Sequence, residues 1–335
     1  MTPRERLIEY TAEFFADDID YAKLMAAARA FKGLLLSLGG EDLDHDEGRS
    51  DLPMENGKAL GTYWAALCLD DLMRTRQFVR GIDRAIAAQF EARDRVHVLY
   101  AGTGPFAALL LPTLLRSAGR PITCTLLEIN PLAYRLLGRI VEALDMSDYD
   151  LRFENADATA YRIDPRDPPH VILSETMQNA LDSEQQVPIF LNLMRQSDPA
   201  TVFVPERIAL SIALKAKAPI EQLDRTHFLP VATVLEISKE ALAGALPDPA
   251  TLPTEETFGR TRTTISPEDL VGRDVIALTT ELRIYGEEHL LLNQSGLTTP
   301  NFIYDVPTPP VSPVTIETQY QVSGQPKLDY RITVG

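Results

Sequence analysis

Cysteine is nearly absent from this chain of 335 residues, which holds only Cys68 and Cys124. Both stand in apolar surroundings, so a disulfide framework is not expected and a reducing, cytoplasmic compartment fits better. Each reads as a small core residue. No apolar run reaches the 18 residues of a membrane span. The start, Met1-Thr2-Pro3-Arg4-Glu5-Arg6, leads into no apolar signal-peptide core. Positive charge is also scarce: 32 Lys and Arg face 48 Asp and Glu, for a net charge of −16. Proteins that wrap nucleic acid need a basic face, so no nucleic-acid partner is expected. The acid excess serves solubility and weakly favours a cationic substrate by steering. No fixed-period repeat is present.

What is present divides in three. The spacing of Ile8, Phe14, Phe15, Leu24, Met25 and Phe31 predicts helix over residues 5–37, with all six on recurring apolar faces. The polar stretch Glu41–Gly48 offers oxygen ligands, but its spacing does not match a calcium loop and it reads as a solvated acidic loop. Helical spacing returns from Tyr63 to about Phe90. Strands around Val96–Leu99, Ile122–Leu127, Leu151–Phe153, Val171–Leu173 and Thr201–Val204 then alternate with helices over Phe106–Leu115, Leu132–Leu144 and Gln185–Met194. That alternation predicts an α/β, doubly wound, parallel sheet. After Pro205 the texture changes to alternating runs, such as Ile208-Ala209-Leu210-Ser211-Ile212, Val275-Ile276-Ala277-Leu278 and Tyr320-Gln321-Val322. These predict antiparallel strands, with Pro307–Pro313 as a stiff extended connector. The expected division is an N-terminal helical region at 1–60, a Rossmann-like domain at 61–205 and a β-rich domain at 206–335.

Two features carry chemistry. Ala101-Gly102-Thr103-Gly104-Pro105-Phe106-Ala107 follows the first strand. Its glycines permit a tight turn and close approach to a ligand, and Pro105 suits a first helical position. The spacing G-x-G-x-x-A fits NAD as well as other adenosine cofactors. Glu128 ends the second strand, where a carboxylate can take ribose hydroxyls. Asp157, before Ala158, follows the third, where an acceptor can meet an adenine amino group. The second feature is Ser174-Glu175 with Glu184 nine positions later. Glu175 lies just past the strand Val171–Leu173, at the edge where open α/β sheets bind ligands. If the loop doubles back, two carboxylates face one cavity, an arrangement that a guanidinium between them would relieve. The plainer alternative is a helix N-terminal acid at Glu184 and an unrelated strand-end acid at Glu175.

Taken together, these segments resemble the class I S-adenosylmethionine-dependent methyltransferases, and more narrowly the protein arginine methyltransferase family. Ala-Gly-Thr-Gly-Pro-Phe is similar to that family's first motif, and Leu126-Leu127-Glu128-Ile129-Asn130-Pro131 to its ribose-binding motif. Ser-Glu-x8-Glu matches its double-glutamate hairpin in spacing, and Val204–Leu210 resembles the segment leading into its β-barrel. Asp70-Asp71-Leu72-Met73-Arg74-Thr75 resembles its Asp-x-x-Arg-Thr helix, which implies that Arg74 pairs with the cofactor's methionyl carboxylate.

The resemblance implies a Rossmann-like methyltransferase domain followed by a β-barrel-like domain, S-adenosyl-L-methionine as cofactor, and a homodimer. It assigns cofactor binding to Arg74, Gly102, Thr103, Gly104, Glu128, Asp157, Ala158 and Glu175, and catalysis to Glu175 and Glu184, with no metal. The chain departs from the family in having no Thr-His-Trp motif; His227 lies much too early and reads as an ordinary polar residue. No dimerisation arm is obvious, although Glu221–Gly244 could supply something comparable. The N-terminal helices could act as a dimer contact or as a lid. Met177 is either packing or a neighbour of the methyl donor.

The expected function is N-methylation of a guanidino group, with a small acceptor such as free arginine preferred over an arginine-containing peptide. A methyltransferase with another acceptor, an NAD-dependent oxidoreductase and a silent cofactor-binding partner are the alternatives. The oxidoreductase reading lacks a hydride-handling His, Tyr-Lys or Ser.

Overall fold

The computed structural model describes residues 1–40, 43–218, 225–245, 258–322 and 324–335. The chain starts with α1 (Pro3–Thr11), fixed by a capping box in which Thr2 and Glu5 exchange hydrogen bonds. The predicted helix over 5–37 is broken. After a 3-10 turn, α2 (Tyr21–Gly39) starts afresh under the side chain of Asp20, which accepts from the amides of Ala22 and Lys23. The carbonyls freed at the break do not go unpaired: Arg80 donates to Phe15 and Ala16, and Arg76 to Ala16 and Asp17. Phe14, Leu24 and Phe31 are buried as expected, but Ile8 and Met25 are 42% and 39% exposed. The break rotates their faces away from the core.

Next come α3 (Asp46–Arg49), a hairpin of β1 (Leu52–Met54) and β2 (Gly57–Ala59), and α4 (Thr62–Leu67). Of the acidic stretch 41–48, the first two residues lie outside the described residues. Among the described ones, no acidic or Cys/His cluster has metal-ligand geometry, and no helix is long and apolar enough to cross a membrane. The helix predicted over 63–90 divides at Asp71. Its carboxylate accepts from the Arg74 amide and so starts α5 (Leu72–Phe90) anew.

The parallel sheet follows: β3 (Val96–Ala101), β4 (Ile122–Leu127), β5 (Asp150–Glu154), β6 (Val171–Ser174) and β7 (Val202–Val204). All neighbours are parallel, in the order β5-β4-β3-β6-β7. The three central strands bury every residue, as strands covered on both faces must. Cys124 is buried in β4, whereas Cys68 is only half-buried, on a cavity wall. Between strands run α6 (Leu111–Arg116), α7 (Pro131–Ala143) and α8 (Gln186–Gln196). Here the helix predicted over 106–115 is corrected. Residues 102–110 form successive turns with positive φ at Gly102, Gly104 and Ala107, so α6 starts at Leu111 and Pro105 sits in the turn.

Beyond β7 the sheets are antiparallel: β8 (Arg207–Ala216), β9 (Phe228–Ser238), α9 (Lys239–Ala245), β10 (Thr261–Ile265), β11 (Arg273–Tyr285), β12 (Glu288–Leu290), β13 (Asn301–Asp305), β14 (Val314–Gln321) and β15 (Lys327–Val334). One sheet runs β12-β11-β8-β9 with β13 also on β11, and a second runs β10-β14-β15. Inward residues of both, such as Ile208, Ile284, Ile316 and Tyr320, join the core that continues through the parallel sheet. The stretch 221–244 yields no arm in its described part, which is spent on β9, paired with β8, and on α9; residues 221–224 lie outside the described residues. Pro307–Pro313 carries no helix or strand, as expected of a connector.

Helix α5 joins the two halves. Arg80 Nε donates to Glu288 at 2.8 Å and Gln77 Nε2 to the His289 carbonyl at 3.0 Å. A Cβ on Gly81 would lie 2.5 Å from Ile284 Cγ2, so only glycine allows α5 to approach β11 this closely. Gly81→Ala gains about 1 kcal/mol of helix propensity but overpacks the contact by about 1–3 kcal/mol. We expect net destabilisation, read as a lower urea midpoint at unchanged slope; a higher midpoint would show that the contact is loose.

Candidate active site

The segment from Glu175 to Gln185 does double back. Non-glycine residues Ala180, Leu181 and Ser183 have φ of 58°, 57° and 65°, a conformation that costs about 1 kcal/mol or more at each position. Neighbours hold them there. The Ala180 amide donates to Thr280 Oγ1 at 3.2 Å, and Tyr320 OH donates to the Leu181 carbonyl at 2.8 Å. The Ser183 amide donates to the Pro326 carbonyl at 2.6 Å, and the Ser183 carbonyl accepts from the Lys58 amide at 3.1 Å. Glu175 and Glu184 consequently line one cavity of about 480 Å³.

The two acids are 9% and 6% exposed but differ in their partners. Glu175 Oε2 accepts from Arg74 Nη2, so its charge is matched. Glu184 Oε1 is buried with no hydrogen-bond partner. Burial pushes the Glu184 carboxyl up to about 7, against the lowering pull of a Gln178 hydrogen bond and of Lys58 and Arg74. Two further orphaned groups, Asn179 Oδ1 and Gln185 Nε2, belong to residues of the same wall.

The turn after β3 forms the opposite wall. Gly102, Thr103, Gly104, Glu128, Ala156 and Ala158 all line the cavity. A Cβ on Gly102, whose φ is +77°, would lie 2.3 Å from Thr176 Cγ2, so that turn tolerates no side chain. Glu128 accepts from the Gly104 amide at 2.7 Å and the Asn130 amide at 2.8 Å, and burial raises its pKa. Asp157 is the exception among the expected site residues. It is not on the cavity wall, and its Oδ1 caps a turn by accepting from the Thr159 amide and hydroxyl. A strand-end acid followed two residues on by Thr is an Asx turn, and that local bond wins here. Met177 is buried on the cavity wall, and Arg74 also donates to the Cys68 carbonyl at 3.2 Å.

Two walls escaped the sequence reading. From the antiparallel side, Gly296 and Leu297 close the cavity on a turn whose Ser295 hydroxyl and Gly296 amide both donate to Asp71 Oδ2, at 2.6 and 2.8 Å. Asn179 Nδ2 reaches the Thr299 carbonyl beside it at 2.7 Å. From the N-terminal side, Lys58, Ala59 and Leu60 cover the cavity, with Lys58 Nζ on Asp51 at 2.8 Å. A Ser-Gly turn is common in sequence, and nothing in the chain near it announces the distant carboxylate of Asp71.

No protein-family profile matches the chain, and no curated protein sequence matches it. Among solved structures the chain is similar to the Trypanosoma brucei PRMT1 enzyme-prozyme heterotetrameric complex with AdoHcy. The likeness covers 80% of this chain and 96% of that one, with a TM-score of 0.52 and 11% sequence identity. The chain shares the fold of that structure. At that identity the likeness speaks for the architecture alone: a Rossmann-like parallel sheet followed by antiparallel sheets, as the resemblance in the sequence implied.

Asp71 ties the start of α5 to the turn at Ser295. Asp71→Ala removes a helix cap and two further bonds, and should destabilise by roughly 2 kcal/mol. Asp71→Asn, which keeps a capping oxygen, should recover much of the loss. Equal unfolding midpoints for Asp71→Ala and the unmodified protein would refute the tie.

Proposed function

We propose that the protein is an S-adenosylmethionine-dependent N-methyltransferase acting on a guanidino group. The observation that carries this reading is the unpartnered, buried Glu184 oxygen, on a loop whose other acid, Glu175, is already held by Arg74. The cofactor fits the residues present: a glycine turn with no room for a side chain of its own, Glu128 at a strand end, and Arg74 as a cation for a carboxylate. Gly102, Thr103, Gly104, Glu128, Ala158 and Arg74 would hold it, and it would supply a sulfonium methyl group. The fold likeness to a PRMT1 complex with AdoHcy supports the same choice. Asp157 would contribute through the shape of its turn.

The chain's own work is orientation. Glu184 and Glu175 would hydrogen-bond edges of the planar acceptor cation, gathering positive charge away from the attacking nitrogen and fixing its line of approach. A cation brought to Glu184 also favours its ionised form, so acceptor binding releases a proton near neutrality. A small acceptor, free arginine or an arginine-like metabolite, is favoured over an arginine-containing peptide. The absence of a Thr-His-Trp motif and the packing of Lys58 and Pro326 against the acid loop support this preference. A cytoplasmic homodimer, with the chain divided near residues 60 and 205, belongs to the same proposal.

The deciding experiment offers labelled S-adenosylmethionine with free arginine, basic peptides and simple amines. Labelled arginine is the expected product. Cofactor binding without transfer to any acceptor would mark a silent partner instead, and binding of NADH alone would mark an oxidoreductase. Glu184→Gln should keep cofactor affinity and lose transfer by two or more orders of magnitude, roughly the loss of a key electrostatic group; undiminished turnover would remove the role.

The pH dependence has a definite sign. The folded pKa of Glu184 is raised, so the folded state holds its proton more tightly than the unfolded state. Stability from this group is fully present below the ordinary Glu range and is lost as pH rises to about 7, by on the order of 3 kcal/mol. Lys58, Asp51, Arg74 and Cys68 are the other charged or titratable groups coupled to it. Without ligands, thermal unfolding between pH 4.5 and 7 should show this loss, and Glu184→Gln should flatten it. In the unmodified protein, kcat/KM should rise with pH and level off above about 7. A rate independent of pH across that window would contradict the assignment.

A further inference from the structure

We infer that Tyr320 and Thr280, which lie outside the cavity wall, are positioning residues that set where Glu184 stands. The inference rests on the proposed function. Ala180 and Leu181 both adopt left-handed backbone, although neither is glycine, three to four residues before Glu184. Such a pair persists only where its surroundings over-determine it. The surroundings here are two side chains from two different sheets. Thr280, on β11, is fully buried and accepts from the Ala180 amide. Tyr320, on β14, is fully buried and donates to the Leu181 carbonyl. Further on, the Ser183 peptide is held by backbone partners, the Pro326 carbonyl and the Lys58 amide, so Thr280 and Tyr320 supply the side-chain hold at the dipeptide itself.

Tyr320 has no packing reason to carry a hydroxyl. Its ring stands edge-on to Phe258, with centroids 6.0 Å apart, and its backbone amide donates to the Phe258 carbonyl. A phenylalanine would fill that slot equally well. The phenol's one hydrogen bond among the described residues goes to Leu181, and burial raises its pKa, so it remains a donor at any working pH. Without that bond the Leu181 carbonyl loses its partner, and the left-handed pair is free to relax toward commoner backbone. Glu184 then moves away from the acceptor and toward water. Small misplacements of an orienting group cost rate far more than affinity.

The test compares Tyr320→Phe, Thr280→Val and Thr280→Ser in the full chain. All three should unfold in a single transition and bind S-adenosylmethionine as the unmodified protein does. Tyr320→Phe and Thr280→Val should lower kcat by on the order of tenfold to a hundredfold with little change in KM. In both, the midpoint of the Glu184 carboxyl, followed by carbon-13 NMR, should fall toward the ordinary glutamate range. Amide exchange at 180–184 should quicken in step. Thr280→Ser, which restores the acceptor oxygen, should recover kcat, midpoint and protection. If Tyr320→Phe fails to fold, the Thr280 pair carries the comparison. If the unmodified protein methylates no guanidino acceptor, the proposed function fails, while the titration and exchange measurements still decide the positioning. An unchanged midpoint and unchanged exchange in the valine and phenylalanine variants would overturn the inference, as would a serine variant no better than the valine one.

Discussion

Two carboxylates withdrawn from water on one short loop make up the constraint around which this molecule is organised. Left alone, like charges in a dry space repel, and each would take up a proton. The chain resolves half the conflict internally, by giving Glu175 the guanidinium of Arg74. The other half stays open at Glu184, whose Oε1 has no hydrogen-bond partner among the described residues although Lys58 and Arg74 act on the group from a distance. Much of the surrounding architecture serves to keep that imbalance in place. The turn after β3 walls one side, the Ser295–Thr298 turn walls another, and the β1–β2 hairpin closes over the loop. An acid held in this state is relieved either by taking up a proton or by a cation that reaches it.

Much of this was legible in the residues. The strands at Ile122–Leu127 and Val171–Ser174 and the helix at Pro131–Ala143 lie within a residue or so of their expected bounds, because unbroken β-rich apolar runs and a Pro-led amphipathic helix leave few alternatives. The double-acid loop was legible for another reason: its spacing carries a geometric demand that few folds meet. The failures are equally physical. Periodicity ran through the breaks at residues 12–20 and at Asp71, since a helix restarted by a capping aspartate keeps much the same apolar spacing. What marks the break is the destination of the freed carbonyls, and that lies on Arg76 and Arg80, sixty residues away. Asp157 turns its Oδ1 to Thr159 and stands off the cavity wall, because a strand-end acid serves a turn as readily as a ligand.

The walls contributed by Gly296, Leu297 and Lys58 could not be read locally at all. Each becomes part of the site only through a partner remote in sequence, Asp71 for the first two and Ser183 for the third. The likeness to a solved methyltransferase fold at 11% identity makes the same point from outside. Layer order and strand order survive where individual contacts do not, because sheet packing tolerates many side chains while a hydrogen bond to one carboxylate does not.

The meeting of the Gly57 and Lys58 backbone, the Ser183 peptide and the Pro326 carbonyl joins three stretches drawn from near the beginning, the middle and the end of the chain. Loop-closure entropy makes contacts of such long separation among the last to be secured as a chain condenses. The two-acid cavity is therefore a late product of folding: a partly folded chain could complete its central sheet and still lack this pairing of acids. The cavity is complete only once the chain near residues 58, 183 and 326 has come together.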